Sequence, residues 1–309
     1  VGSEMCIRDR FDTENPACSV ESVPVSVNDR TRFIYEAACC GLRDFFVKNG
    51  YKKACVGVSG GIDSAVVACL AVAALGAENV RGLMMPSQFS SEGSVEDAKQ
   101  LAENLGIEFH VVPITEAYRS IVDTLIPVIG GTDFDATEEN IQSRIRTLML
   151  MALQNKNGYV LLNCSNKSEN ALGICTLYGD TGGAFSVTGD LYKTEMYDLA
   201  RYINRKFGAP IPENILTKEP SSELRPNQKD SDMLPSYEVV DAILYRLIED
   251  GQSREEIINA GFDSDEVQKI YAMVMRNEKK RFQYPPVLRL SSSSFGHEYR
   301  MPLTHKYVK

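Results

Sequence analysis

Two rhythms of apolar and polar positions run along this chain. Short unbroken apolar runs at residues 54–58, 80–85, 107–112 and 159–164 sit between Gly, Pro and Asn punctuation. Runs of that length between turn formers predict buried strands. Longer stretches repeat their apolar residues at helical spacing. They cover residues 29–48, 65–75, 94–105, 115–129, 137–155 and 194–207. In the first of them Phe33, Ala37, Cys40, Leu42 and Phe45 lie toward one side, and Gly50 closes it. In the third, Ser94 can cap the start and Gly106 lies just past the end. Strand and helix alternate with short links. That order predicts an α/β fold: a Rossmann-like, doubly wound parallel sheet with helices on both faces.

Three further helices are expected at 237–249, 254–260 and 264–278. Residues 1–27 show no usable period and read as an extraneous or disordered segment. The folded domain is placed at 28–284. Residues 285–309 read as an irregular tail carrying a serine run, Ser291, Ser292, Ser293 and Ser294.

Composition narrows the classes. The 309 residues are 43% hydrophobic, enough for a sizeable core, and carry a net charge of −9. An acidic balance argues against general nucleic-acid binding, which shows a basic footprint. No apolar run reaches the roughly 18 residues a membrane span needs. The eight cysteines form no CxxC pair, which suits a reduced cytoplasm better than a disulfide framework.

The densest candidate chemistry follows the first strand: Gly57, Val58, Ser59, Gly60, Gly61, Ile62, Asp63 and Ser64. A strand, a glycine turn and a helix N-terminus make an anion site, with N–H groups and the positive dipole end facing outward. The glycines permit a tight turn and close ligand approach. Asp63 offers a hard oxygen ligand for Mg²⁺. No Gly-Lys-Ser/Thr closes the loop and the spacing is not GxGxxG, so neither the Walker nor the dinucleotide fingerprint applies. A second strand end, after Cys164, runs into Ser165, Asn166, Lys167, Ser168 and Glu169, and repeats that logic with a lysine and a carboxylate.

Other polar segments are ambiguous on composition alone. Asn140, Arg144 and Arg146 share a helix, where the two arginines read as a solvated face. The 176–183 stretch, with Asp180, is a glycine-rich loop. Lys193 precedes a helix. Residues 218–232, with Ser221, have the composition of a surface linker or of a lid ordering over phosphates. The basic cluster at Lys279, Lys280 and Arg281 suits a helix C-terminus.

Together these segments resemble the NAD synthetases, and within them the synthetase half of the glutamine-dependent form. The Ser-Gly-Gly-x-Asp-Ser loop resembles the pyrophosphate loop of the wider ATP pyrophosphatase superfamily. The family resemblance rests on Asn166 to Glu169, Thr176 to Asp180, Glu223 to Pro226 with Lys229 to Asp232, and Asn277 to Arg281, and covers residues 31–306. It implies ATP-dependent amidation of deamido-NAD to NAD through an adenylated intermediate, releasing AMP and pyrophosphate. It implies catalytic roles for Asp63, Glu169 and Lys193, with Asp63 and Glu169 holding Mg²⁺. It implies ATP contacts from residues 57–64, Cys164, Lys193 and Ser221. It places deamido-NAD near Asn140, Arg144, Glu169, Asp180 and Lys280. It also implies a homodimer. Cys164 stands where the family usually has threonine. The length leaves no room for a glutaminase domain, so ammonia would be the direct nitrogen donor, or the chain is a fragment whose glutaminase lies upstream. Two readings compete: another adenylating enzyme of the superfamily, such as a GMP synthetase or tRNA-thiolating enzyme, and a non-catalytic ATP sensor.

Overall fold

The computed structural model describes residues 30–130, 133–226, 228–232, 234–296 and 298–305; the segment expected to be extraneous, 1–27, lies outside them. Among the described residues five strands form one parallel sheet: β1 (Lys53–Gly57), β2 (Val80–Met84), β3 (Glu108–Val111), β4 (Tyr159–Asn163) and β5 (Phe185–Ser186). Their spatial order is β3-β2-β1-β4-β5. Val56 stands opposite Gly82 on one side of β1, and Ala54 opposite Val160 on the other.

The strands read as continuous apolar runs because both faces are covered. Ala54, Val56, Val58, Val160 and Leu162 join one core, under helices α1 (Arg30–Asn49), α2 (Ile62–Leu75) and α3 (Glu92–Leu105). Cys55, Leu83, Tyr159 and Leu161 join another, under α4 (Thr115–Ile129) and α5 (Ala136–Asn157). The period of two sends alternate residues to opposite cores. The doubly wound α/β fold expected from sequence is the fold found.

Helix α3 begins two residues earlier than expected. Its cap is Ser91, not Ser94: the Ser91 hydroxyl accepts the Ser94 N–H, which makes Ser94 a first-turn residue. Elements too short to show a period in the sequence include α6 (Lys167–Leu172) and strand β5. The chain continues through α7 (Lys193–Phe207), α8 (Glu213–Thr217), α9 (Tyr237–Ile248), α10 (Arg254–Asn259), α11 (Ser264–Arg276) and α12 (Glu278–Arg281). Lys193 is therefore the first residue of α7 and does not precede it. Helices α6, α9, α10 and α11 share a smaller core built on Leu172, Val240, Leu244, Val267 and Ile270.

Among the described residues after 284 there is no helix, but the segment is hydrogen-bonded to the sheet edge. The Ser186 N–H donates to Pro286 and the Leu288 N–H donates back to Ser186, at 2.9 and 3.0 Å. Ser186 and Val287 form a parallel bridge there. Among the described residues no helix is long and apolar enough to cross a membrane.

Candidate active site

Strand order reverses between β1 and β4, and a doubly wound sheet opens a crevice at such a point, beyond the strands' carboxyl ends. The two strand ends singled out from sequence are these two neighbours. A cavity of about 330 Å³ occupies the crevice, lined by the 57–64 loop, residues 161–165, Glu169, Lys193 and the 218–224 segment among others.

The loop after β1 is held open by its own hydroxyls. Ser64 Oγ accepts the Ser59 N–H at 3.1 Å and donates to the Gly61 carbonyl at 3.0 Å. Gly60 has φ +78, and a β-carbon there would lie 2.2 Å from the Ser94 carbonyl oxygen. Only glycine fits both the left-handed backbone and the contact with α3. Gly61 stands at the cap position of α2 and provides no side-chain cap. The first-turn amides of α2 are thereby left for an anion.

Lys193 enters from the far side. Its Nζ lies 2.5 Å from Asp63 Oδ2 and 3.5 Å from Glu169 Oε1. Asn166 caps α6 by accepting the Glu169 N–H, and its amide donates to Asp63 Oδ1 at 2.9 Å. One asparagine thus aligns both acids. A lysine at a helix N-terminus opposes the dipole. Asp241 offsets this by accepting the Thr194 N–H at 2.8 Å. Burial opposes the Lys193 charge, but Asp63 and Glu169 raise its pKa above the usual lysine range. Burial, then the Asp63 charge, push the Glu169 carboxyl up to about 8, with Lys193 opposing. Two carboxyls share one ammonium, so whenever both are ionised the cluster is short of positive charge. Among the described residues no group of three or more His, Cys, Asp or Glu could hold a metal. A pair of hard oxygens suits a divalent ion that takes its remaining ligands from water and phosphate.

The remaining expected residues divide. Cys164 lines the cavity, and burial, then Asp63 and Glu169, raise its thiol well above its usual range. Asp180 is open to the cavity but walled by protein, which pushes its carboxyl up to about 6. Ser221 lines the cavity too, though its hydroxyl donates to the Gln228 carbonyl at 2.6 Å and so ties the lid to itself. Asn140, Arg144 and Lys280 do not line the cavity. Each is bonded to the 173–180 loop: Asn140 accepts from Thr176 Oγ1 at 2.6 Å, Arg144 Nε donates to Leu177 O at 3.2 Å, and Lys280 Nζ donates to Gly173 O at 2.6 Å and Cys175 O at 2.7 Å. Arg146, expected on a solvated helix face, instead lines the cavity. Its helical spacing from Ser143, Thr147 and Leu150 was the available signal.

Within the expected linker or lid, residues 218–224 and Asp230 line the cavity. Lys218 Nζ reaches Asp97 Oδ2 at 2.8 Å, and Leu224 O accepts from Gln142 at 2.9 Å. Glu223, at φ +48, accepts from Ser91 Oγ at 2.7 Å and Ser94 Oγ at 2.8 Å. Glu223→Gln should weaken this latch. Limited proteolysis within 218–232 is expected to run about three- to tenfold faster, because local opening becomes cheaper. Equal cutting rates in variant and parent would rule out the latch.

Known proteins resemble this chain in sequence and in fold. The family model for NAD synthase matches residues 34–284. The glutamine-dependent NAD(+) synthetase of Aquifex aeolicus is 52% identical over 276 residues, covering 89% of this chain and 48% of that protein. Among solved structures, the glutamine-dependent NAD+ synthetase of Acinetobacter baumannii, in complex with ADP, aligns with a TM-score of 0.62 at 41% identity, over 92% of this chain and 51% of that one. The NH3-dependent NAD synthetase of Campylobacter jejuni aligns with a TM-score of 0.64 at 30% identity, over 81% of this chain and 95% of that one. The chain spans about half the length of the curated relatives it matches. By sequence and by fold, this chain belongs to the NAD synthase family.

Proposed function

We propose that this chain carries out ATP-dependent amidation of deamido-NAD to NAD, with ammonia as the immediate nitrogen donor. The observation that carries the proposal is the convergence of Asp63, Glu169 and Lys193 beside an open phosphate loop at the sheet's switch point. A nicotinate carboxylate oxygen attacks the α-phosphorus of ATP, and the α–β phosphoanhydride bond breaks to release pyrophosphate. Ammonia then attacks the acyl carbon, the bond to AMP breaks, and the nitrogen loses a proton. The protein supplies alignment and charge rather than covalent chemistry.

The 59–64 loop and the N-terminus of α2 bind the departing pyrophosphate. Lys193 neutralises phosphate charge from the opposite wall. Asp63 and Glu169 would hold Mg²⁺, which when bound supplies further charge neutralisation at the phosphates. Asp180 meets the dinucleotide directly, whereas Asn140, Arg144 and Lys280 act on it by fixing the 173–180 loop. A homodimer in the cytoplasm completes the proposal, and sedimentation of the purified chain checks the assembly.

The test supplies the purified chain with ATP, Mg²⁺, ammonium and deamido-NAD, and follows pyrophosphate and NAD. Release is expected to require deamido-NAD and to stop on chelation of the metal. A structural neighbour from Francisella tularensis is named an NMN synthetase, at 26% identity and a TM-score of 0.70. Nicotinate mononucleotide therefore belongs in a parallel arm, as does xanthylate for the GMP synthetase reading. Turnover of either in preference to deamido-NAD would overturn the assignment. Nucleotide binding without turnover would favour the sensor.

Cys164→Thr supplies a hydroxyl where a thiol bonds poorly. The Cys164 Sγ lies 3.9 Å from the Leu162 carbonyl oxygen, a weak contact. The ATP KM is expected to fall about two- to fivefold with kcat unchanged. An unchanged KM counts against contact between this position and ATP.

A further inference from the structure

Three cationic side chains line the cavity: Lys193, Lys218 and Arg146. Lys193 is met by Asp63 and Glu169, and Lys218 by Asp97. Arg146 forms no ion pair among the described residues. Its hydrogen bond there runs from Nε to the Met85 carbonyl oxygen at 3.0 Å, at the carboxyl end of β2. The acids near it are turned elsewhere. Asp180 accepts the Thr176 N–H at 2.7 Å and Ser143 Oγ at 3.3 Å. Glu223 is committed to Ser91 and Ser94. Burial draws the Arg146 pKa down to about 10, against the pull of Glu223 and Asp180. A partly dehydrated guanidinium whose outer nitrogens lack an acid partner gains from an anionic ligand.

Its place indicates which anion. Met84, Met85, Leu150 and Leu161 give the same cavity an apolar wall, a surface suited to a nucleoside. The phosphate loop lies at the end of the neighbouring strand β1. The group that joins a nucleoside on that wall to phosphates in that loop is the α-phosphoryl. We propose that Arg146 binds an α-phosphoryl oxygen of the adenine nucleotide and holds it in the adenylated intermediate after pyrophosphate has left. This rests on the adenylation reading above. It adds a positioning contact from α5, a helix that carries none of Asp63, Glu169 and Lys193.

Calorimetry with AMP and adenosine tests it on the full chain. The parent should bind AMP more tightly than adenosine. Arg146→Gln should lose about tenfold or more of that preference, while its affinity for adenosine stays at the parent's value. Arg146→Lys should recover part of it, since a lysine keeps the charge but not the fork. Adenosine binding itself reports an intact pocket in each variant. An unchanged preference overturns the proposal, as does an equal loss for both ligands, or a loss confined to deamido-NAD. Turnover of deamido-NAD by the parent decides the adenylation reading separately, so the two failures are distinguishable.

Discussion

Lys193→Met is expected to lower kcat for pyrophosphate release by about 10²- to 10³-fold, the range found when one preorganised donor is removed from a charge-stabilising site. The Lys193 side chain is 4% exposed and is the ammonium shared by Asp63 and Glu169. Methionine keeps most of the stem and removes only the charge. Two carboxyls then face one another with Asn166 as the remaining bridge, and their repulsion extends to an incoming phosphate. The variant should also lose about 3 kcal/mol of stability. That is the low end for a broken buried pair, because both carboxyls are partly open to the cavity. The stability loss should be largest on the alkaline side, where Glu169 ionises, since its carboxyl sits at about 8 even with the lysine present and rises without it. Lowering the pH from alkaline to neutral should restore stability without restoring turnover, because protonating Glu169 removes the repulsion but supplies no cation. Stopped-flow pyrophosphate release and thermal melts at two pH values separate these effects. A kcat within tenfold of the parent would remove Lys193 from the catalytic set.

The phosphate loop was legible because its signals are local. A buried strand, glycines free to adopt positive φ and a following helix all lie within about 20 residues, and the fold class followed from the same alternation. What escaped depends on distant partners. Ser91, Ser94 and their neighbours offer several hydroxyls as caps, and the choice involves Glu223, 132 residues away in sequence from Ser91. Helix α6 is six residues long, too short to show a period, although Asn166 three positions before Glu169 is a capping signal. Residue type alone could not orient Asn140, Arg144 and Lys280, which brace a loop, nor distinguish them from Arg146, which faces the cavity. Arg144 and Arg146 stand two positions apart, about 200° around the helix, and composition carries no record of that half turn, which puts one outside the cavity and the other on its wall.

Lys167→Met should be the most destabilising change outside the cavity, at about 3–5 kcal/mol. Lys167 lies two residues before Glu169, and its side chain is 0% exposed. Its ammonium meets Asp190 Oδ1 at 2.9 Å, pairs with Glu249, donates to Ser291 Oγ at 2.7 Å and to Ser293 O at 2.9 Å, and packs on the rings of Tyr192 and Phe295. Asp190 in turn accepts the N–H groups of Leu290 and Ser291, both at 2.7 Å. The serine run is thereby fastened to the start of the helix that carries Glu169. Removing the lysine strands two buried carboxylates among backbone donors. Burial would raise the Glu249 pKa, yet its bonds to Lys167 and Ser292 hold it below the usual range. A depressed carboxyl stabilises the fold above its unfolded pKa, and that contribution disappears as pH falls through the lower folded value. The parent should therefore lose stability on the acid side of the carboxylate range, and Lys167→Met should lose less there because it has less to lose. Hydrogen exchange at the Leu290 and Ser291 amides should speed up in the variant before the sheet amides do. If those amides exchange at the parent's rate while the melting temperature falls, the network stabilises the fold without fastening the tail, and Glu169 is positioned by Asn166 alone.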